Sequence, residues 1–353
     1  MPATNMVFPG KDWAEATPES QGIDSTKLHT AIEVMEKAFD GLGGIVESLI
    51  VRNGRIIWKG SQIDSKHSIW SASKSFTSTV FGVLIDDGAV TLDTLAKDYA
   101  PDLAALYPKV ALRHFATMTS GYDGDGGTYG KNDPLDGSKT PFTPTTPLFE
   151  PGTKFCHWDD AMREFGHVLT RIISEPLEAF FKRRVADPIG MDSEAWGWRT
   201  RTPVEGYDIE VRDATCGIDI TARELARFGL LFLNGGNWAG RQVISPSWVA
   251  QVGTSQVPLA LGHTDFSPRQ RAIDGRGIYS FNWWVNGVGT SGNRPWPGAP
   301  AGMFAASGLN ENKCFIIPEW DMVVVRTGIA GKLPDGDAMW SEFFAKLSGA
   351  LVV

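Results

Sequence analysis

Several features are scarce in this 353-residue chain, and each scarcity narrows what the protein can be. Three cysteines, at positions 156, 216 and 314, are too few and too widely spaced for a disulfide framework, so a reducing compartment fits and at most one bridge can form. Lysine and arginine number 33 against 41 acidic residues, and this net charge of -8 argues against a nucleic-acid partner. No apolar run reaches the length of a membrane span, so no membrane partner is expected.

Residues 1–5 lack the basic and apolar regions of a secretion signal. This absence favours a cytoplasmic protein, or a chain that begins after a removed segment. The composition is ordinary for a globular protein, with 42% hydrophobic and 21% charged residues. A chain of this length can bury a large core in one elaborate domain or in two closely packed ones. The sequence leaves the oligomeric state open.

Local patterns predict the order of the structural elements. Asp24 and Ser25 can cap a helix, and Asn53-Gly54 between two β-rich runs predicts a hairpin. Helical pieces separated by loops rich in Gly, Pro and Asp occupy the middle of the chain. Strand patterns return near the C-terminus and a final helix follows them; these strands are predicted at residues 278–285, 303–306, 314–317 and 322–326.

This order predicts an α+β fold, an antiparallel sheet flanked by N- and C-terminal helices. Residues 1–90 and 270–353 are expected to form this α/β sheet domain, and residues 91–269 an inserted, mainly helical region. A cleft between the two is the expected place for an active site. The polar loop of residues 120–147 is long enough to act as a lid or to be a mobile segment.

One short motif carries the chemistry. Ser71 and Lys74 form an S-x-x-K tetrad, with less than one helical turn between them, at the predicted start of a helix. A serine hydroxyl becomes a good nucleophile when a base takes its proton, and a lysine can take it only in the neutral form. Apolar residues at positions 76, 80, 83 and 84 predict a buried helix, which favours the neutral amine. Gly88 is expected to cap the end of this helix.

The motif and its surroundings resemble the serine β-lactamase and penicillin-binding-protein-like superfamily. The chain looks most like the class C β-lactamase branch, with its esterases and 6-aminohexanoate-oligomer hydrolases. The resemblance covers nearly the whole chain, and besides the tetrad it rests on residues 112–121, 151–155, 186–192 and 221–248. It implies the β-lactamase/transpeptidase-like fold, Ser71 as the nucleophile, Lys74 as its proton acceptor or relay, and no metal or organic cofactor.

The second motif of this superfamily is normally Tyr-x-Asn, shortly after Pro-Gly-Thr, and the residues here are His157, Trp158 and Asp159. An unperturbed histidine titrates near pH 6.5 and a tyrosine near 10, so His157 can serve as general base toward Ser71 without much tuning. Asp159 can orient nearby groups or pair with Lys74. A pair favours the charged lysine and leaves His157 as the base. The alternative is a degraded site in which His157 only fills space.

The third motif places a cation, a variable residue and a glycine on the strand beside the nucleophile. The best match here is Ala306, Ser307 and Gly308, so the cation is missing. A glycine at this place lets a substrate lie close to the strand. A backbone N–H of Ser307 or of a neighbour is expected to form an oxyanion hole with that of Ser71.

The missing cation argues against a β-lactam or a free carboxylate as the best substrate, although three other residues could replace it: Arg326, Lys313 and Arg276. Trp158 suits the wall of an acyl or aryl ester pocket, and Tyr122 could enter the cleft and supply the missing tyrosine hydroxyl. We therefore expect a serine hydrolase that acts through an acyl-enzyme on a small-molecule ester or neutral amide. The alternatives are a β-lactamase or D-alanyl-D-alanine peptidase, and a catalytically silent binding or sensor protein on the same scaffold.

Overall fold

A computed structural model of the protein describes residues 6–41, 44–125, 140–200, 204, 206–264, 272–328, 333 and 336–352. The predicted lid falls largely on residues 126–139, which lie outside the described residues. The helices are α1 (Ser25–Phe39), α2 (Lys74–Asp86), α3 (Leu112–Ala116), α4 (Asp159–Ile173), α5 (Leu177–Phe181), α6 (Ala222–Leu233), α7 (Pro246–Val252) and α8 (Gly336–Ala350). In the described part of the chain, no helix is both long and apolar enough to cross a membrane.

The strands are mostly short, and their bounds are β1 (Ser48–Arg52), β2 (Arg55–Lys59), β3 (Lys66–Ser68), β4 (Gly124–Asp125), β5 (Thr140–Pro144), β6 (Lys154–Phe155), β7 (Trp196–Trp198), β8 (Ile218–Thr221), β9 (Asn237–Trp238), β10 (Arg241–Gln242), β11 (Gly262–His263), β12 (Trp284–Val285), β13 (Phe304–Gly308), β14 (Asn312–Ile317) and β15 (Met322–Arg326). Six of them form the main sheet, in the order β12-β13-β14-β15-β1-β2, with every pair antiparallel. The predicted α+β fold with an antiparallel sheet and terminal helices is confirmed.

Local sequence signals explain several of these boundaries. Asn53 and Gly54 both take left-handed backbone angles, with φ of 50° and 74°, and they turn β1 into β2 as the hairpin prediction requires. The side chain of Asp24 accepts a hydrogen bond from the backbone N–H of Lys27 and caps α1. Gly88, with φ of 70°, follows the end of α2.

The predicted strand at residues 278–285 is much shorter in the structure, where only Trp284–Val285 pairs with β13. The reason is a tight turn just before it. Asn282 takes a left-handed φ of 59°, and the N–H of Ser280 donates to the carbonyl of Trp283 at 2.9 Å. Because β12 is so short, β14 is the only described strand that pairs with residues 306–308, and the other edge of β13 is open there.

The core lies on both faces of the main sheet. Successive residues of a strand point to opposite faces, so Phe315 packs against Trp340 of α8 while Cys314 lies against the backbone of Leu225 in α6. One face is therefore covered by α1 and α8, and the other by α6 and α2. This second face carries the nucleophile helix, and the site forms where the turn that leads into α2 meets the open edge of β13.

Candidate active site

The tetrad forms a turn of 3₁₀ helix that leads directly into α2. This turn spans Trp70–Ser73, and Trp70 takes a left-handed φ of 51°, which is unusual for a large side chain. The strained turn leaves Ser71 half-buried at the surface of the site. Lys74 is the first residue of α2, and its Nζ lies 2.8 Å from the Oγ of Ser71. The two residues of the motif are therefore in hydrogen-bond contact.

Lys74 is buried and forms an ion pair. Its Nζ lies 3.0 Å from Oδ1 of Asp159, and the two side chains are 2% and 16% exposed. The carbonyl oxygen of Thr215 lies 3.4 Å from the same nitrogen. The amine therefore has a carboxylate and a carbonyl oxygen as neighbours in addition to the hydroxyl of Ser71. The structure thus brings together three residues of the first two motifs.

Asp159 is the first residue of α4 and remains ionised. Burial by itself raises the pKa of Asp159, but the charges of Lys74, His157 and Arg163 outweigh burial and hold that pKa well below its usual range. The positive end of the α4 dipole acts in the same direction. A carboxylate now stands where the family often has an amide, and it forms the charged partner of the nucleophile's lysine.

His157 lies in an aromatic corner of the site. Its ring meets that of Tyr279 edge-on and stacks on that of Trp284, with ring centroids 6.2 Å apart in both cases. Its charge acts on Asp159, so the histidine lies within electrostatic reach of the Lys74 pair. The aromatic contacts orient the imidazole while leaving it half-buried.

Tyr279 is a residue of this corner that the sequence reasoning missed. It is buried, its hydroxyl receives a hydrogen bond from the amide of Asn282 at 3.4 Å, and burial raises the pKa of the phenol. A phenol that keeps its proton can donate a hydrogen bond but cannot act as a base at neutral pH. The signal was available: Tyr279 lies in the predicted strand that also carries Trp284.

The third motif meets the nucleophile through its glycine. A Cβ placed on Gly308 would lie 2.0 Å from the carbonyl oxygen of Ile69 and 2.9 Å from the backbone nitrogen of Ala72. Only glycine allows this approach, so the open edge of β13 lies directly against the turn that bears Ser71. The backbone of the strand is therefore where an oxyanion hole can be built.

The Ser307 side chain lies on the other face of the sheet. Ser307 pairs with Lys313 across β13 and β14, and Nζ of Lys313 donates to Oγ of Ser307 at 2.6 Å. Directly opposed residues share a face, and Ser307 alternates with Gly308, which faces the nucleophile turn. Both side chains therefore project toward α8, away from the face that carries Ser71.

Three cations could replace the one missing from the third motif, and all three are engaged by other groups of the protein. Lys313 is held by Ser307 and by Glu311, whose carboxylate lies 3.4 Å from the amine. Arg326 is fully buried with its guanidinium 4.2 Å from the centre of the Phe39 ring, and burial lowers its pKa to about 10.

Arg276 is likewise engaged. Its guanidinium donates through Nε and Nη2 to the carboxylate of Asp274, at 2.9 and 2.7 Å, and through Nη1 to the carbonyl of Leu261. The hydrogen bonds from Arg276 outweigh the effect of burial and lower the pKa of Asp274 to about 2. The arginine therefore stays charged, and its charge is compensated by the carboxylate of Asp274.

Two predicted binding residues lie in the core rather than at the cleft. Trp158 is 1% exposed, and its indole N–H donates to Oδ1 of Asp123 at 3.1 Å. Tyr122 is also 1% exposed, and its hydroxyl donates to the carbonyl of Pro141 at 2.6 Å. Their polar atoms are satisfied inside the protein, so neither hydroxyl nor indole is presented to a substrate. Among the described residues, no group of three or more acidic, histidine or cysteine side chains is arranged to hold a metal ion.

Comparison with known proteins identifies the family of the chain. A family model described as Beta-lactamase matches residues 37–327. The chain belongs to the β-lactamase family. It is a hydrolase of that family, and it is similar to the 6-aminohexanoate-dimer hydrolase of Paenarthrobacter ureafaciens, with 25% identity over 283 residues that cover 70% of this chain and 68% of the relative.

Solved structures share the fold across nearly the whole length. A family VIII carboxylesterase superposes with a TM-score of 0.68 at 17% identity, covering 96% of this chain and 99% of its own. A penicillin-binding protein homologue from Caulobacter crescentus gives a TM-score of 0.66 at 16% identity, covering 94% and 99%. At such identities the likeness concerns the fold, and the chemistry has to be argued from the residues of this chain.

Proposed function

We propose that this β-lactamase-family protein is a serine hydrolase that cleaves an ester or a neutral amide through an acyl-enzyme on Ser71. The observation that carries the proposal is the 2.8 Å contact between Oγ of Ser71 and Nζ of Lys74, in a site where Asp159 holds the lysine charge. A cation beside the serine oxygen stabilises the alkoxide that develops during attack.

The ion pair decides how the proton moves. Lys74 is paired with Asp159 at 3.0 Å and already donates to Oγ of Ser71, so we assign it an electrostatic role and not that of the base. His157 is then the general base, as the residue of the second motif with a pKa range near neutrality. Tyr279 and Trp284 orient its ring. Lys74 acts as an electrostatic and positioning group.

The proposed reaction has two halves. In the first, Oγ of Ser71 bonds to the carbonyl carbon while its proton passes to His157, and the carbonyl oxygen becomes an oxyanion. That oxyanion is bound by the backbone N–H of Ser71 and one from the open edge of β13. The tetrahedral intermediate then collapses, and the leaving group departs with the proton from His157. In the second half, water bonds to the acyl carbon while its proton passes to His157. The bond between that carbon and Oγ of Ser71 then breaks, Oγ receives the proton from His157, and the carboxylic acid is released.

The charge pattern supports a neutral substrate. Lys313, Arg326 and Arg276 are all engaged by protein partners, so none is available to hold a substrate carboxylate. The partly exposed Trp284 adds an apolar surface beside the histidine. Names of relatives, a carboxylesterase and a 6-aminohexanoate-dimer hydrolase, fit ester or amide cleavage.

The test is covalent labelling followed by a substrate panel. The intact protein is incubated with a fluorophosphonate probe, its mass is measured, and the labelled peptide is mapped, with Ser71→Ala as the control. A single adduct on Ser71 that the variant lacks is expected, together with turnover of p-nitrophenyl esters. No adduct at high probe concentration would instead indicate a silent binding protein. Fast hydrolysis of a chromogenic cephalosporin with poor ester turnover would indicate a β-lactamase.

A further inference from the structure

The turn that follows β13 has an unusual conformation. This turn, Leu309–Glu311, packs against the 3₁₀ turn that carries Ser71. Two consecutive residues in it, Asn310 and Glu311, take left-handed backbone angles with φ of 61° and 58°. Neither is glycine, so both pay a conformational cost that the surrounding structure has to offset. The turn therefore depends on contacts with neighbouring residues that stabilise this conformation beside the nucleophile.

Buried polar groups hold the backbone of the turn. The side-chain amide of Asn312 donates to the carbonyl of Leu309 at 2.7 Å, and the guanidinium of Arg326 donates to the carbonyl of Asn310. Asn312 and Arg326 are both fully buried. A buried donor that loses its acceptor is costly, so these contacts oppose any relaxation of the turn.

The side chain of Glu311 is held as well. Its carboxylate accepts a hydrogen bond from the indole N–H of Trp340 in α8 at 2.9 Å and lies 3.4 Å from the amine of Lys313. The same amine donates to Ser307 on β13. Lys313 thus bridges the turn and the strand edge that leads into it.

We propose that Glu311 and Lys313 are positioning residues that hold the turn and the end of β13 against the nucleophile. They act through the backbone of Gly308 and Leu309, which form the strand edge where the oxyanion is bound in the proposed function. This inference rests on that function. It assigns Lys313, a residue that could have bound a substrate carboxylate, to the alignment of the catalytic backbone.

The test removes both charges together. In the double variant Glu311→Gln/Lys313→Met, the glutamine can still accept from Trp340, and the two charges of the pair are removed together. The buried Arg326, on which the charges of Glu311 and Glu47 both act, keeps Glu47. The matched control is Glu342→Gln/Lys346→Met, which removes an exposed pair on α8 whose charged atoms are 3.8 Å apart. Both are assayed for kcat and KM with a short-chain p-nitrophenyl ester, and for melting temperature.

A displaced catalytic backbone affects the chemical step more than ground-state binding. We expect kcat of the first double variant to fall by about 10–100-fold with KM within about threefold of the wild type, and the control to be unchanged. Adding Asn310→Gly should recover at least part of the lost kcat, because glycine takes the left-handed conformation without the clamp.

Two results would overturn the inference while leaving the proposed function intact. One is a kcat of the double variant within twofold of the wild type. The other is a loss of kcat that follows the loss of melting temperature and is not recovered by Asn310→Gly. A wild-type protein that turns over no ester and takes no fluorophosphonate on Ser71 would refute the proposed function, and this inference with it.

Discussion

Replacing Asp159 with asparagine should move the base function from His157 to Lys74. At 3.0 Å, and with an effective dielectric constant of about 20, the Coulomb attraction between Lys74 and Asp159 is about 5 kcal/mol. Desolvation of both groups offsets part of this, and removing one partner of a buried pair costs about 3–5 kcal/mol. With Asp159 at 16% exposure, we expect unfolding free energy to drop by about 3 kcal/mol at pH 7.

The pH dependence has a definite sign. The pKa of Asp159 is lowered in the folded protein, so the pair stabilises the fold above the ordinary carboxylate range and loses this effect as the pH falls. The stability difference between wild type and Asp159→Asn should therefore be complete above about pH 5 and shrink below about pH 4. Because the carboxylate stays ionised, a wild-type loss of kcat/KM near pH 6.5 would come from histidine.

The assay combines urea unfolding at several pH values with a double-mutant cycle. His157→Ala should lower kcat/KM by about 10²–10⁴ in the wild type and by less than about tenfold in Asp159→Asn, where Lys74 has lost its carboxylate partner and can serve as base. As a control, Asp64→Asn breaks an exposed pair with Arg223 and should cost less than about 1 kcal/mol. Equal effects of His157→Ala in both backgrounds, or a wild-type profile flat through pH 6.5, would refute the reasoning.

Three further outcomes follow from the site. Ser71→Ala should abolish turnover and leave the melting temperature near that of the wild type, so retained activity in pure protein would remove the assignment. Gly308→Ala should lower kcat by more than about tenfold, because its Cβ would lie 2.0 Å from the carbonyl oxygen of Ile69. Its control is Gly349→Ala, where the added Cβ meets nothing within 4 Å and helix propensity should slightly raise the melting temperature. A neutral p-nitrophenyl ester should be cleaved with at least about tenfold higher kcat/KM than an analogue with a terminal carboxylate, since the nearby cations are engaged; the reverse preference would contradict the proposed substrate class.

The parts of the fold that depend on local chemistry could be predicted from the sequence. Asn53-Gly54 favours one kind of turn whatever surrounds it, and β15 has the bounds expected from its run of apolar residues. The contact within the tetrad also depends on local sequence, because a three-residue spacing at the start of a helix brings Ser71 and Lys74 together whatever surrounds them.

The parts of the fold and of the site that depend on strand register and on distant partners could not be predicted from the sequence. Whether Lys313 faces the nucleophile or α8 is decided by its pairing with Ser307, and a shift of one residue would reverse it. In the sequence, Trp158 is equally compatible with the wall of a cleft and with the core. Its place in the core depends on Asp123, which is distant in sequence and whose carboxylate accepts a hydrogen bond from the indole. The strand at residues 278–285 looked regular, and only the left-handed Asn282 ends it early.

The antiparallel pairing of β1 with β15 has a consequence for how the enzyme is made. Ser48 pairs with Arg326, so β1 cannot form this pairing until β15 has been synthesised, roughly 270 residues later. At about 5–20 residues per second, the ribosome needs roughly 15–55 s to supply that partner. Until then the apolar edge of β1 is open to other chains. The nucleophile's sheet is therefore completed only once β15 has been synthesised, and until then the nascent hairpin has one unpaired edge.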